Sequence, residues 1–175
     1  MRESDTRASG GFSLVELVFA VSILVMLTGA ISPALMQYVE KGRERRDSQN
    51  IEMLYSAVSS ALIDEIAYDS LKAGMGTDGI YSSPIDAEKL FLSEDGFSEA
   101  IRDYMPTAPV LISKKAKGKD GRYVIMVSVS EEIDAETGIR CIKPCVWAGN
   151  AEKAVSTDLI AGDVPGWLKT GSAEG

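Results

Sequence analysis

One uncharged run near the N-terminus constrains this chain more than any other feature. From Leu17 to Met36 the sequence LVFAVSILVMLTGAISPALM contains no Asp, Glu, Lys or Arg. As a helix rising about 1.5 Å per residue, this run covers the roughly 30 Å hydrocarbon core of a bilayer. A buried core helix and a secretory signal peptide are the alternatives, but the run is long for both and no A-x-A site follows closely. We therefore predict a membrane-spanning helix.

The helical period continues beyond this run. Apolar residues recur at steps of three or four, which places them on one helix face: Ile51, Leu54, Val58, Leu62 and Ile66. Gly74 and Gly76 mark the end of the pattern. We predict one helix from about residue 12 to about residue 72, with a transmembrane part over 12–38 and an amphipathic part over 39–72.

The remainder of the chain is typical of a loop region followed by strands. Residues 73–108 are rich in turn signals, with one or two short helices expected near Asp86–Phe91 and Ser98–Tyr104. Residues 109–175 are predicted to form an antiparallel β-sheet and a C-terminal tail, which either wraps over the sheet edge or is partly disordered. The predicted strands are Pro109–Lys114, Arg122–Ser130 and Ile139–Trp147.

The middle strand indicates how the sheet meets the helix. Tyr123, Ile125, Val127 and Val129 stand at alternate positions and therefore share one face. We expect that face to pack against the amphipathic helix stripe. The predicted fold class is therefore α+β, with a long N-terminal helix packed on a small antiparallel β-sheet.

Composition argues against several functional classes. The chain of 175 residues carries a formal net charge of -8, which disfavours nucleic-acid binding through phosphate contacts. It contains no histidine, the commonest general base and metal ligand. The acidic run over residues 130–136 lacks the ligand spacing of a calcium loop. No nucleophile elbow or phosphate loop is present, so we expect no catalytic residues, no cofactor and no metal site.

The residues GGFSLVELVFAVSILVML resemble the N-terminus of type IV prepilins and of the pseudopilins of type II secretion and DNA-uptake systems. The likeness covers roughly residues 10–45. It combines Gly11 before a cleavage site, the aromatic Phe12 after it, Glu16 at the fifth mature position and Pro33 within the apolar run. It implies a prepilin leader peptide over residues 1–11, cleavage between Gly11 and Phe12, and Phe12 as the site of N-methylation.

The resemblance also implies roles for two features of the apolar helix. An ionisable residue such as Glu16 is unfavourable in a membrane, and in this family the glutamate is thought to meet the N-terminal amine of a neighbouring subunit during assembly. Pro33, together with Gly29, is expected to kink the helix or melt it locally. A tolerated kink and a role in filament packing both stay open.

The function implied by the resemblance is a structural subunit of a type IV pilus-like filament, not an enzyme. Expected partners are other pilin subunits, of the same or different kinds, the prepilin peptidase, an inner-membrane platform with its assembly ATPase, and membrane lipid; no nucleic acid is expected for the single subunit. The chain would lie in the cytoplasmic membrane with its C-terminal domain outside, and then in a cell-surface or periplasmic filament. The alternatives are a pseudopilin of a secretion or competence machine and, outside the family, an uncleaved single-pass membrane-anchored binding domain.

Two basic clusters bear on topology and binding. The first follows the apolar run: Lys41, Arg43, Arg45 and Arg46. By the positive-inside rule alone, this cluster would keep the C-terminal domain in the cytoplasm, against the implication of the prepilin motif. A solvated collar, lipid headgroup binding and pairing with acidic neighbours are its open interpretations. The second cluster is expected to be a solvated hairpin tip: Lys114, Lys115, Lys117, Lys119 and Arg122.

The two cysteines, Cys141 and Cys145, allow two arrangements. On a regular strand their alpha carbons would lie about 13 Å apart, well beyond the roughly 7 Å limit for a disulfide. Either both are reduced on a strand, or Lys143-Pro144 forms a turn that brings them together. Because pilin domains often carry a disulfide near the C-terminus, we expect the turn and the disulfide.

Overall fold

The computed structural model of the chain describes residues 13–74, 84–118, 121–133 and 137–171. The chain divides into two units, with the boundary between Val39 and Glu40. The predicted cleavage site at Gly11 and Phe12 lies outside the described residues, as does Gly76. In general terms the protein is α+β, with a long apolar N-terminal helix and a small mixed sheet.

Helix α1 extends from Leu14 to Ala61. It continues without interruption past Pro33, so the expected local melting at this residue is wrong, whereas the kink stays a prediction. A single missing N–H group is tolerated there because all the other turns of the helix remain bonded.

The helix ends earlier than its apolar period predicted. Helix α2, Glu65–Gly74, begins after a turn at residues 62–64, so the single helix predicted to about residue 72 is two helices. The Oδ1 atom of Asp64 accepts hydrogen bonds from the backbone N–H groups of Ile66 and Ala67 at 2.9 and 3.1 Å. Asp64 therefore caps a new helix. Ile66, predicted on the buried stripe, is 79% exposed.

The second unit has one main hydrophobic core. Ile51, Leu54 and Val58 of α1 are fully buried and belong to the same cluster as Val127 and Val129. Ile125 belongs to it as well. This confirms the predicted packing of the helix stripe on one face of the middle strand.

The sheet is centred on two long antiparallel strands. Strand β1 is Ile85–Asp86, β2 is Val124–Ile133, β3 is Arg140–Gly149, β4 is Lys153–Ala154, β5 is Ile160–Gly162 and β6 is Lys169–Thr170. Their order is β1-β2-β3-β4-β6, and β5 also pairs with β3. Since β4 and β6 run parallel, the sheet is mixed, which corrects the prediction of a purely antiparallel one.

Three further short α-helices lie in the described part of the second unit. The sequence predicted one or two short helices here, and the structure has both: α3, Ala87–Leu92, and α4, Gly96–Tyr104. Asp86 and Asp95 cap them through their side chains. The predicted strand Pro109–Lys114 is wrong, because this segment is irregular and leads into helix α5, Lys114–Lys117.

The C-terminal tail adds short strands and covers the other face of the sheet. Met126, Cys145, Trp147, Ala154 and Leu168 form a second buried cluster there. The Trp147 ring lies edge-on to Trp167 with centroids 5.8 Å apart, and its Nε1–H donates to the Asn150 carbonyl at 2.9 Å. The described part of the tail, which ends at Gly171, therefore wraps over the sheet, as one of the two predicted alternatives stated.

The predicted turn and disulfide are wrong. Cys141 and Cys145 are free, and both lie on β3. Lys143 and Pro144 continue this strand opposite Ser130 and Val129, so the chain makes no turn between the cysteines. Strand spacing keeps the two alpha carbons too far apart for a bridge. Burial raises the pKa of the Cys145 thiol to about 12, with a smaller contribution from the negative charge of Asp163.

Candidate functional site

The described part of the first unit is the beginning of α1, and its side chains are all exposed. Between Ser13 and Val39 no side chain is buried, and large apolar residues such as Phe19 and Met26 are 66% and 77% exposed. An 18-residue window of α1 has a mean hydropathy of 2.4. By length and composition α1 is a candidate membrane-spanning helix, and its first half has no apolar partner within the described part of its own unit.

The hydroxyl groups within the apolar run are bonded to their own helix. Ser22 Oγ donates to the Val18 carbonyl at 2.8 Å, and Thr28 Oγ1 donates to the Leu24 carbonyl at 2.6 Å. A hydroxyl without a partner is unfavourable in an apolar environment. These bonds to the preceding turn make the helix surface compatible with lipid or with another apolar helix.

Glu16 has a local partner at the start of α1. The backbone N–H of Ser13 donates to Glu16 Oε2 at 3.2 Å, and the N–H of Leu17 donates to the Ser13 carbonyl at 3.1 Å. Ser13 stands immediately before the helix and Glu16 is its third residue, which is the spacing of the S-x-x-E capping box. The sequence FSLVE carries this signal, and our sequence analysis missed it.

Gly29 and Pro33 lie on the same exposed helix. A Cβ atom added at Gly29 would have no heavy atom within 4 Å, so no packing in the described chain requires a glycine there. Pro33 has no N–H group to donate to the Gly29 carbonyl four residues earlier. The pair therefore leaves a small residue and an available carbonyl on an apolar surface.

The second unit contains a buried carboxylate that the sequence analysis did not select. Asp47 is fully buried, and its Oδ1 and Oδ2 atoms accept hydrogen bonds from the N–H groups of Ile112 and Ser113, both at 2.8 Å. Glu40 Oε1 accepts from the N–H of Lys114. We call this pair of carboxylates, Glu40 and Asp47, the carboxylate latch, because together they bind three successive N–H groups at the start of α5.

The latch has a simple origin in helix geometry. Glu40 and Asp47 stand seven residues apart, which is close to two turns, so both side chains leave α1 on the same face. Their partners lie 65 to 74 residues away in the sequence. The spacing of the two acids was visible in the sequence, but nothing local indicated which segment they would bind.

The latch also changes the interpretation of the second basic cluster. Lys114 and Lys117 belong to α5, so this part of the cluster is a helical turn beside α1 and not the predicted hairpin tip. Lys119 lies outside the described residues. Lys115 Nζ lies 3.8 Å from Asp158 Oδ2, and Arg43 pairs with Glu40 at 3.3 Å.

Other polar features of the second unit serve the fold. Burial acts to raise the pKa of Asp95, but hydrogen bonds from Ser93, Ser98 and Phe97 outweigh it and lower that pKa below its usual value. Within the described ranges, no group of three or more His, Cys, Asp or Glu side chains is placed to hold a metal ion.

An open groove of about 700 Å³ lies along α1 beside Tyr104 and Met105.

No family model, no curated protein and no solved structure matches this chain. The residues of the chain itself therefore indicate its function. The relevant ones are the N-terminal motif, the exposed apolar half of α1, Glu16 in the first turn, and the basic surface next to the latch.

Proposed function

We propose that this chain is a structural subunit of a type IV pilus-like filament, cut after Gly11 and packed into the filament by its N-terminal helix. The observation that carries the proposal is the motif GGFSLVEL at the start of a helix whose apolar side chains have no partner in the described part of their own unit. Such a helix needs lipid, other helices or both. In a filament subunit the same apolar helix surface contacts lipid before assembly and other helices after it.

The charges of the motif support the proposal on physical grounds. Cleavage after Gly11 creates an amine on Phe12, about one helical turn before Glu16. A carboxylate and an amine that are isolated in an apolar bundle are each unfavourable. Pairing Glu16 of one subunit with the Phe12 amine of another replaces two isolated charges by one hydrogen-bonded pair and sets the axial register between subunits.

One observation favours the uncleaved membrane-anchored binding domain as a second candidate. The hydrogen bond from Ser13 gives Glu16 a local role as a helix cap, which requires no neighbouring subunit. The two candidates therefore place different requirements on Glu16. Filament assembly requires its negative charge, whereas capping the helix requires only a hydrogen-bond acceptor.

Glu16→Gln separates these roles, since glutamine also serves at this position of a capping box. If the charge drives assembly, Glu16→Gln and Glu16→Leu both insert and are both cut after Gly11, but both fail to form filaments. Leaving the partner amine without its carboxylate should reduce the free energy of assembly by about 3–5 kcal/mol, by analogy with broken buried ion pairs. The measurement is the amount of subunit in filaments sheared from cells, with N-terminal sequencing of the cut chain.

The matched control is Glu52→Gln, an exposed carboxylate in the second unit, which should assemble normally. Filaments of normal abundance built only from Glu16→Gln subunits would contradict the charge mechanism and favour the cap. A chain that still begins at Met1 in cells with an active prepilin peptidase would contradict the filament proposal itself.

A further inference from the structure

The carboxylate latch brings two basic clusters of the second unit together, although about 70 residues separate them in the sequence. The backbone of Lys114 is bonded to Glu40, so α5 lies beside the first turns of α1 in this unit. We call the combined surface the basic ring. Its members are Lys41, Arg43, Arg45, Arg46, Lys114, Lys115 and Lys117.

Helix geometry distributes these cations around α1. Successive residues are rotated by about 100°, so Lys41 and Arg45 share one side, and Arg46 lies well away from them. The face that carries Glu40 and Asp47 is covered by the segment before α5. On that face the cations come from α5, which completes the ring around the helix.

The local charge of the ring opposes that of the whole chain. Glu40 and Asp47 are bonded to backbone N–H groups, and within the described ranges only Arg43 and Lys115 of the ring form ion pairs. The five remaining cations of the ring are all exposed: Lys41, Arg45, Arg46, Lys114 and Lys117. The chain as a whole carries a net charge of -8, so positive charge is concentrated here.

Three features identify a lipid surface as the partner of the ring. The ring surrounds the residues that directly follow the apolar run in the sequence. Tyr38 lies between the apolar run and the ring in the sequence and is 77% exposed. Tyrosine is enriched at membrane interfaces. Cations arranged around a helix axis fit a plane of phosphates, to which Lys and Arg near a membrane are attracted.

We propose that the basic ring seats the second unit on the anionic phospholipid headgroups of the membrane that the apolar helix crosses. The α5 lysines contact the headgroups together with the cations of α1, because the latch holds both on one surface of the second unit. This inference rests on the membrane-anchoring part of the proposed function and not on filament assembly.

The test uses the full chain in phosphatidylcholine nanodiscs that contain trace spin-labelled phosphatidylglycerol or spin-labelled phosphatidylcholine. The ratio of the two motionally restricted fractions gives the preference for the anionic lipid. Each cation near an anionic surface is worth roughly fivefold in binding. We expect a clear preference at low salt that weakens at high salt, and a loss of roughly fivefold or more in Lys114→Gln/Lys117→Gln.

The matched control is Lys72→Gln/Lys89→Gln, which removes two exposed lysines from α2 and α3 and should leave the preference unchanged. Circular dichroism verifies that both variants are folded. An equal effect of the two variants, or no effect of the α5 variant, would overturn the proposal. It would also be overturned if the α5 variant lost chemically cross-linked oligomers and kept its lipid preference, because the ring would then bind a second copy.

The lipid measurement is made on unassembled chains, so its outcome is independent of the filament proposal. A chain that prefers the anionic lipid but never enters filaments would contradict the proposed function and support the ring. Normal filaments from a chain without lipid preference would contradict only the proposed binding of the basic ring to anionic lipid.

Discussion

The two halves of helix α1 have the same secondary structure but opposite environments. From Leu14 to Val39 no side chain is buried, whereas Ile51, Leu54 and Val58 are at most 1% exposed. The first half is apolar on all sides, and the second has one apolar stripe with polar residues elsewhere. A stripe can be covered by a single sheet, but an all-round apolar surface needs surroundings on every side. The arrangement of apolar residues around the helix therefore separates the candidate membrane-spanning half from the half that packs into the core, although the first half is the more hydrophobic one.

The largest expected effect comes from the same substitution made in each half. Leu54→Ala removes a fully buried side chain from the core and should lower the free energy of unfolding of the second unit by about 2–5 kcal/mol. Leu24→Ala, at a side chain that is 61% exposed, should leave this free energy nearly unchanged. Chemical denaturation in detergent, followed through the fluorescence of Trp147 and Trp167, measures both. Equal losses from the two variants would show that the halves do not differ as described.

A smaller effect is expected where the second half uses polar contacts. Asp47→Ala removes the acceptor of the Ile112 and Ser113 N–H groups and should destabilise the second unit by about 2–3 kcal/mol, because buried donors lose their partner. Asp47→Asn keeps one acceptor oxygen and should lose about half as much. Urea denaturation with Glu44→Ala as the control checks this.

Hydrogen exchange of the amides at residues 112–114 localises the effect of Asp47. Faster exchange confined to these amides in Asp47→Ala is the expected pattern. Unchanged stability together with unchanged exchange would mean that the latch contributes nothing to the fold. The latch would then no longer explain why the α5 lysines lie beside α1.

The smallest effect is expected at a helix cap far from α1. Asp95 accepts from the Ser98 N–H at 2.7 Å and caps α4, so Asp95→Ala should cost about 1 kcal/mol. The folded-state pKa of Asp95 is lowered, so its contribution to stability is present above its ordinary pKa and is lost as the pH falls through the folded value. Asp95→Asn should therefore flatten the loss of stability below about pH 4.

Denaturation curves of the wild-type chain and Asp95→Asn at several acidic pH values make this comparison. Because Asp95 belongs to the second unit, the exposed half of α1 should keep its helical signal throughout the titration. Identical pH dependence in the two chains would remove Asp95 as a source of acid sensitivity.

Local pattern in the sequence was sufficient to identify several elements. The apolar run, the stripe of Ile51, Leu54 and Val58, and helices α3 and α4 follow from periodicity and capping residues close by in the chain. Strands β2 and β3 were also predicted, because alternation over several residues is a local property. The capping box at Ser13 and the cap at Asp64 were equally local, and they were missed because the strong apolar period dominated the interpretation.

Only the tertiary structure decided which distant segments meet. The N–H groups before α5 are bound by carboxylates 65 to 74 residues earlier, so the predicted strand at Pro109–Lys114 became an irregular segment with a helical turn. The same bonds placed two basic clusters on one surface. Pairing of β3 with β2 kept Cys141 and Cys145 apart, against the expected turn. Hydrogen bonds over such separations depend on how elements pack, and neither residue type nor local period specifies the partner.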